Sequence, residues 1–306
     1  MLMVRLFGKF CVERDRETLS HMPGGKPQEL LCYLLLHREI HPRETLATLL
    51  WPDCEAPRSK KNLRQVLWQL QSALANPSGE RDSQALCIDP ESVQVNKHAP
   101  LRVDVEAFEE AYRVVRSVAA ERVDHAQAAA LHDAVLLYRG DLLEGCYQDW
   151  CLVERERLQN CYLTMLDKLI VYSEARQEYQ QGIEYAERVL ALDRAHERSH
   201  QHLMRLHYLS GNRTGALRQY ERCKAALREE LAVVPSRHST ELYEQIRADK
   251  PQLAVQPATA AADRGPSRVL FHLQQTLTFL NKVQTEIKKE IRSAQQAEKG
   301  SGRKLA

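Results

Sequence analysis

The sequence predicts a mainly α-helical chain, in which a small domain with β elements precedes an all-α repeat domain and a C-terminal helix. Three observations support this fold class. Leucine-rich segments with helical spacing lie between short alternating segments in the first hundred residues. A 34-residue internal repeat follows in a long helical region. Heptad spacing of apolar residues then appears near the C-terminus.

Residues 1–100 are predicted to form one domain with three helices between two β regions. Residues 2–12 alternate apolar and polar side chains, as a half-buried strand does. Helical spacing of leucines, interrupted by prolines and glycines, predicts helices at 27–38, 42–50 and 57–75. Two short apolar segments, 85–88 and 93–96, flank a turn and predict a hairpin. This order of elements is typical of a winged helix-turn-helix.

The third predicted helix has one apolar stripe and an opposite face that carries cations. Five aliphatic residues share the stripe and are expected to pack inward: Leu63, Val66, Leu67, Leu70 and Leu74. No Asp or Glu lies between Glu55 and Glu80. The other face and its flanks carry the residues that we expect to bind DNA: Arg58, Lys60, Lys61, Arg64, Gln65, Trp68 and Gln69.

Uncompensated cations at the N-terminal half of such a helix favour docking in the major groove of DNA. Cationic side chains supply affinity by displacing counterions, whereas Gln65 and an arginine can reach base edges. Arg43 is predicted to contact the DNA backbone from the second helix. Lys97, at the end of the hairpin, is predicted to contact the adjacent minor groove or its phosphates. The alternative is a solvated basic face on an ordinary surface helix.

Trp68 is an unusual residue for a polar helix face. It could lie against a sugar–phosphate edge or at a protein contact. The favoured interpretation is that the hairpin or the neighbouring strands of its own domain bury it, because large aromatic side chains are usually buried.

Residues 101–250 are predicted to form helical repeats. Glu187-Arg188 recurs 34 residues later as Glu221-Arg222. Three further pairs share this spacing: Gln177 with Gly211, Gly182 with Ala216, and Ile183 with Leu217. Thirty-four residues is the tetratricopeptide period, in which helical hairpins stack to bury their apolar stripes. The match is incomplete, since Tyr179 fills the aromatic position of the first unit and Arg213 stands there in the second.

A linker rich in Pro and Ala is predicted over 251–267, followed by an amphipathic helix over 268–299. Apolar residues in this helix follow three- and four-residue steps, as in a coiled coil. Two interpretations stay open. The helix forms a parallel homodimer, or it packs back onto the repeat domain.

Composition narrows the class of protein. No apolar run reaches the roughly 18 residues that a membrane span needs, and the N-terminal segment lacks the features of a signal peptide. A cytoplasmic location is therefore expected. The formal net charge is only +2, so a DNA-binding prediction depends on local charge. Eight cysteines include no C-x-x-C pair, and we interpret them as reduced, small apolar residues.

No sequence motif for catalysis or for a bound group was found. Neither G-x-S-x-G nor H-E-x-x-H occurs, so an enzyme is not predicted, and neither is a cofactor. His196 and His200 lie four residues apart, with His207 on nearly the same face, a spacing that can hold zinc. No matching Cys or Asp accompanies them, so they are interpreted as surface histidines and no metal site is predicted.

Several motifs in order resemble the Streptomyces antibiotic regulatory protein family. Leu49–Asp53 and Asn62–Arg64 resemble its OmpR/PhoB-type winged helix, and Asp104–Phe108 resembles the opening of its bacterial transcriptional activator domain. The second resemblance continues at Gly140–Leu143, Trp150, Glu154–Leu158, Leu203-Met204, Ala216–Glu221 and Glu229–Leu231. Two positions depart from the family: Gln71 replaces an arginine of the third helix, and Ala232 replaces a glycine before Val233.

The resemblance implies a bacterial transcriptional activator that binds repeats near promoters and contacts RNA polymerase. Double-stranded DNA and RNA polymerase are then the expected partners, with a homodimer through 268–299 as a further expectation. The competing hypothesis is a tetratricopeptide-type interaction scaffold whose winged helix does not bind DNA.

Overall fold

Residues 1–19, 22–75 and 84–249 are described by this computed structural model. Their strands are β1 (Leu2–Arg5), β2 (Cys11–Arg14), β3 (Glu17–Thr18), β4 (His41–Pro42), β5 (Leu86–Ile88), β6 (Ser92–Val95) and β7 (Leu101–Val103). Their α-helices are α1 (Lys26–Leu36), α2 (Arg43–Leu50), α3 (Ala56–Leu74), α4 (Asp104–Val115), α5 (His125–Leu137), α6 (Asp149–Ala175), α7 (Tyr179–Leu192), α8 (Glu197–Leu209), α9 (Arg213–Leu231) and α10 (Arg237–Arg247).

The N-terminal sheet has the strand order β3-β2-β1-β7. Strand β1 pairs antiparallel with β2 and parallel with β7. The prediction of one strand over residues 2–12 was therefore wrong. The chain turns at Gly8, whose φ of 77° lies in the left-handed region that glycine adopts without steric cost, and β2 returns along β1.

Helices α1 and α2 contact a second sheet of order β4-β6-β5, and α3 packs against these two helices. The three helices agree with the predicted ones to within two residues at each end. The aliphatic side chains expected on the inner stripe of α3 are all buried, together with Leu30, Leu46 and Leu50 of the other two helices. These observations, with the repeat helices described below, confirm the predicted mainly α fold with an N-terminal winged helix.

The sheet also joins the winged helix to the helices that follow it. Strand β7 leads directly into α4, and the Asp104 carboxylate accepts hydrogen bonds from the backbone N–H groups of Leu6, Phe7 and Val105. Leu6 and Gly8 also exchange backbone hydrogen bonds with the segment 141–144. One hydrophobic core therefore continues from the winged helix into helices α4 to α8. The boundaries at 100/101 and 250/251 remain predictions.

Helices α6 to α10 form antiparallel hairpins with the predicted period. Helices α7 and α9 begin 34 residues apart, at Tyr179 and Arg213. The turn before each contains a residue with positive φ at the equivalent position, Gln177 at 62° and Gly211 at 83°. Gly182 packs against Leu206, which confirms that successive hairpins stack. The repeat prediction is confirmed in this part of the chain.

Ala232 ends α9 in the left-handed conformation, with φ 55° and ψ 30°. An alanine Cβ is unfavourable there, whereas glycine has no such cost. We expect Ala232→Gly to raise the free energy of unfolding by about 1 kcal/mol. This value allows for the larger conformational entropy that glycine has in the unfolded chain. Urea denaturation checks this value. Ala225→Gly, within the same helix, is the matched control and should destabilise by about 1 kcal/mol.

Part of the sequence-based prediction lies outside the described residues. The linker 251–267, the helix 268–299 and its homodimer fall there, as do Asn76–Gly79 after α3. Across the ranges given above, every helix is too short or too polar to cross a bilayer.

Candidate nucleic-acid interface

Helix α3 is held in place along its inner face and at its C-terminal end. Leu63 and Leu70 are fully buried in the core beneath it. At its end, the Arg14 guanidinium of β2 donates hydrogen bonds to the carbonyl oxygens of Leu74 and Ala75, at 3.0 and 2.9 Å. A cation at a helix C-terminus satisfies unpaired carbonyls and opposes the helix dipole. The orientation of α3 is therefore tied to the N-terminal sheet.

The opposite face of α3 is open to solvent. Five of the predicted DNA-binding residues are exposed along it: Arg58, Lys60, Lys61, Arg64 and Gln65. Gln69 is half-buried at the edge of the same face. Arg64 and Gln65 lie three and four residues after Lys61, and Trp68 lies four and three residues after them, so the four side chains project from adjacent turns on one side of the helix. No helix of the described chain covers them.

Trp68 is 67% exposed. The interpretation that its own domain buries it was therefore wrong. Position 68 lies on the outward face of α3, between the exposed residues Arg64 and Ser72. The indole ring of Trp68 is therefore available to a partner on this face.

Lys60 differs from the other cations of α3. Its ammonium group pairs with the Glu44 carboxylate of α2 at 2.5 Å, and both groups are exposed. The hydrogen bond from Lys60 and its charge lower the pKa of Glu44. The prediction that the cations of this helix have no carboxylate partner was therefore wrong for Lys60. Within the described ranges, Arg58, Lys61 and Arg64 have no carboxylate partner.

The charge of this face changes along α3. Exposed Asp53 and Glu55 lie immediately before its first residue, whereas Ala56–Leu74 contains no carboxylate. Negative charge at the very start of the helix opposes an anionic partner, so the cationic part of this face extends from Arg58 to Arg64.

Arg43 and Lys97 lie in different surroundings. The Arg43 guanidinium donates to the Asp89 carbonyl oxygen at 3.3 Å, and the Arg43 N–H donates to Glu91. Arg43 therefore holds the turn between β5 and β6, which carries the exposed side chains of Asp89 and Glu91. Lys97 is exposed after β6, at the opposite end of the hairpin from that turn. Lys97 and the turn that Arg43 holds are therefore separated by the length of the hairpin.

His196 and His200 of the repeat region form hydrogen bonds within the protein. His200 is only 4% exposed, so its interpretation as a surface histidine was wrong. Its Nε2 lies 3.0 Å from the Arg194 carbonyl and its Nδ1 lies 2.7 Å from Gln219 Nε2. His196 accepts a hydrogen bond from the Ser199 N–H and caps α8. These contacts occupy both ring nitrogens of His200 and the Nδ1 of His196.

Sequence reasoning missed Arg14 as a residue of this site. Arg14 is sixty residues from the carbonyl groups that it caps, and it looks like an ordinary strand cation in the sequence. The sequence shows only that a strand carries an arginine. To predict that this arginine caps α3, one must also know that the strand lies beside the end of the helix.

Comparison with known proteins gives a domain and a fold. A family model described as the bacterial transcriptional activator domain matches residues 103–247. Comparison with curated proteins gave no match. Among solved structures, Mycobacterium tuberculosis EmbR in complex with a low affinity phosphopeptide matches with a TM-score of 0.57 and 20% identity, over 82% of this chain. The present chain spans 66% of the length of that EmbR chain.

The domain match begins at the strand that completes the N-terminal sheet and ends with α10. The elements before it form the winged helix described above. The matched family model is that of a transcriptional regulator domain. Residues 103–247 therefore match the bacterial transcriptional activator domain, and the chain shares with EmbR the fold of a winged helix followed by helical repeats.

Proposed function

We propose that this chain is a sequence-specific DNA-binding transcriptional activator that acts in the cytoplasm on promoter repeats. The observation that carries the proposal is the outward face of α3, which is exposed, cationic and free of carboxylates from Ala56 to Leu74. In this proposal α3 enters the major groove, and the activator helices contact RNA polymerase. A homodimer through 268–299 would bring two winged helices to repeated half-sites.

The side chains of α3 take different roles in this proposal. Arg64 and Gln65 lie at the middle of the open face and read base edges, since arginine pairs with guanine and glutamine with adenine in the major groove. Arg58 and Lys61 neutralise phosphates and supply salt-dependent affinity. Trp68 lies against a sugar edge or a thymine methyl group.

The remaining predicted residues supply weaker backbone contacts. Lys60 can exchange its exposed pair with Glu44 for a phosphate, because an exposed ion pair stabilises little. Gln69 donates a hydrogen bond to the DNA backbone from the edge of α3. Arg43 contacts the backbone only if its hydrogen bond to the β5–β6 turn is released, and Lys97 contacts it from the other end of the hairpin.

The proposal is tested by footprinting the bound genome and measuring affinity for the recovered promoter at 50 and 200 mM salt. With several phosphate contacts, affinity should fall by about 10³-fold or more over this range. An affinity that does not change with salt would contradict the proposal.

Trp68→Ala separates binding from folding. Because the side chain is exposed, we expect the free energy of unfolding to change by less than about 0.5 kcal/mol. DNA affinity should fall by more than about 1 kcal/mol, roughly fivefold or more, if Trp68 lies in the contact. Fluorescence anisotropy and urea denaturation measure the two effects. Ser72→Ala, one turn farther along α3, is the control and should alter neither.

The second candidate function is a protein-interaction scaffold, and a cavity between α7, α8 and α9 favours it. This cavity has a volume of about 350 Å³ and is lined by Leu190, Leu203 and Ala226 together with Glu187, Arg194 and Arg222. Such a mixed surface in helical repeats suits a peptide. Pull-down with and without nuclease distinguishes the two functions. Partners kept after nuclease treatment support the scaffold, and partners lost with the DNA support the activator.

A further inference from the structure

The cavity between α7, α8 and α9 has a polar floor that belongs to the buried part of the protein. Two of its lining side chains, His200 and Gln219, are only 4% and 3% exposed. The His200 Nε2–H donates to the Arg194 carbonyl oxygen at 3.0 Å, so its Nδ1 accepts the hydrogen bond from Gln219 Nε2 at 2.7 Å. Burial lowers the pKa of His200, which keeps its ring neutral as this arrangement requires. Gln219 is thereby held in one orientation, and its amide keeps a second N–H for a ligand.

Aliphatic side chains form the rest of the floor. Leu203 of α8 and Ala226 of α9 are buried, and Leu190 of α7 is half-buried beside them. The cavity has a volume of about 350 Å³. This volume lies at the small end of the range for ligand sites, in which a mostly apolar lining and a few fixed polar groups are usual. The floor therefore suits one small ligand that carries an aliphatic group.

The rim of the cavity carries one carboxylate and one guanidinium. Glu187 of α7 and Arg222 of α9 line it, and both are exposed. Arg222 Nη1 donates a long hydrogen bond to Gln219 Oε1, at 3.5 Å. Across residues 1–19, 22–75 and 84–249, neither Glu187 nor Arg222 belongs to an ion pair. Both charges are therefore open to a ligand.

Arg194 also lines the cavity, but its charge is engaged elsewhere. Its guanidinium pairs with Glu229 and Glu230 of α9, at 3.5 and 3.8 Å. Its contribution to the floor is the backbone carbonyl oxygen that fixes His200. The cavity thus presents one positive and one negative charge above an aliphatic floor.

We propose that this cavity binds a free aliphatic α-amino acid, whose carboxylate pairs with Arg222 and whose ammonium group pairs with Glu187. An arginine takes a carboxylate in two parallel hydrogen bonds, and the free N–H of Gln219 adds a third donor. A zwitterion satisfies both rim charges at once, whereas the interior of a peptide carries neither backbone charge. The inference does not depend on DNA binding. It uses the cavity that favours the scaffold function, and there the amino acid competes with a peptide.

The floor determines which side chain the amino acid carries. A charged side chain loses its hydration against Leu190, Leu203 and Ala226 and finds no partner there. An aliphatic side chain is favoured, because it removes apolar surface from water on both sides of the contact. The expected ligands are therefore L-leucine, L-isoleucine and L-valine, and the excluded ones include L-aspartate and L-lysine.

The test measures binding of these five amino acids to the full chain by equilibrium dialysis. We expect saturable binding of at least one aliphatic amino acid and no binding of L-aspartate or L-lysine. The amide of the bound amino acid lacks the carboxylate, and its deaminated acid lacks the ammonium group. Each should bind at least about tenfold more weakly, because each leaves one rim charge without its charge-assisted hydrogen bonds.

Variants of the two rim residues assign the contacts. Arg222→Gln and Glu187→Gln should each lower the affinity at least about tenfold. Both side chains are exposed, so the circular dichroism spectrum and the urea midpoint should match those of the wild type. The matched control is Arg218→Gln, which removes an exposed arginine one turn earlier on α9, outside the lining of the cavity. Its affinity should equal that of the wild type.

Three results would overturn the proposal. The first is a wild-type chain that binds none of the aliphatic amino acids. The second is unchanged affinity in both Arg222→Gln and Glu187→Gln. The third is equal affinity for the amino acid and for its N-acetyl amide, which lacks both charges, and this result would favour a peptide in the cavity. The assay contains no DNA, so a failure here is distinct from a failure of the activator function.

Discussion

Arg64→Ala is expected to weaken promoter binding by about 1–3 kcal/mol, roughly 5- to 150-fold, and to relax specificity at one base pair. The reason is the position of Arg64 at the middle of the exposed face of α3, where no carboxylate of the described chain pairs with it. Lys61→Ala should instead reduce affinity for all sequences alike and lower the salt slope by about one. Fluorescence anisotropy on matched and mutated sites measures both changes.

The control for these variants is Lys224→Ala, which removes an exposed cation from α9 and leaves the winged helix intact. Its affinity for DNA should equal that of the wild type. If Arg64→Ala and Lys61→Ala also bind normally while all variants remain folded, α3 is not the DNA-binding helix. The scaffold hypothesis would then be favoured.

The second large effect is expected from Phe108→Ala. Phe108 is fully buried on α4, with its ring centroid 5.0 Å from that of Phe7 and 6.1 Å from that of Tyr138. It thus joins the N-terminal sheet to the activator helices. Removal of a buried phenylalanine side chain leaves a cavity and costs about 3–5 kcal/mol in the free energy of unfolding. Urea denaturation gives this value.

Val114→Ala is the matched control for Phe108→Ala. It lies on the same helix but is 54% exposed, so its effect should stay within about 0.5 kcal/mol. Since one core continues across both halves, we also expect Phe108→Ala to lower the stability of winged helix and activator helices together. A loss below about 1 kcal/mol would show that Phe108 does not join the two.

Helix positions were predictable because they depend on local patterns. The stripe of Leu63, Leu67 and Leu70 and the 34-residue spacing from Tyr179 to Arg213 follow from how an α-helix repeats its faces and how hairpins stack. The prediction of one strand over 2–12 was wrong because the alternation of apolar and polar residues continues across the turn at Gly8. A local pattern does not distinguish one long strand from two strands of a hairpin.

The sequence alone determined that α3 has an apolar and a cationic side, since both sides are set by residue spacing in one helix. Only the tertiary structure decided which cations are paired, that Trp68 is exposed, and that His200 is buried. It alone brought the loop before α6 to Leu6. The physical reason is the distance along the sequence between the residues that interact. Backbone geometry fixes relations within a helical turn, whereas burial and pairing between distant residues depend on how the elements pack.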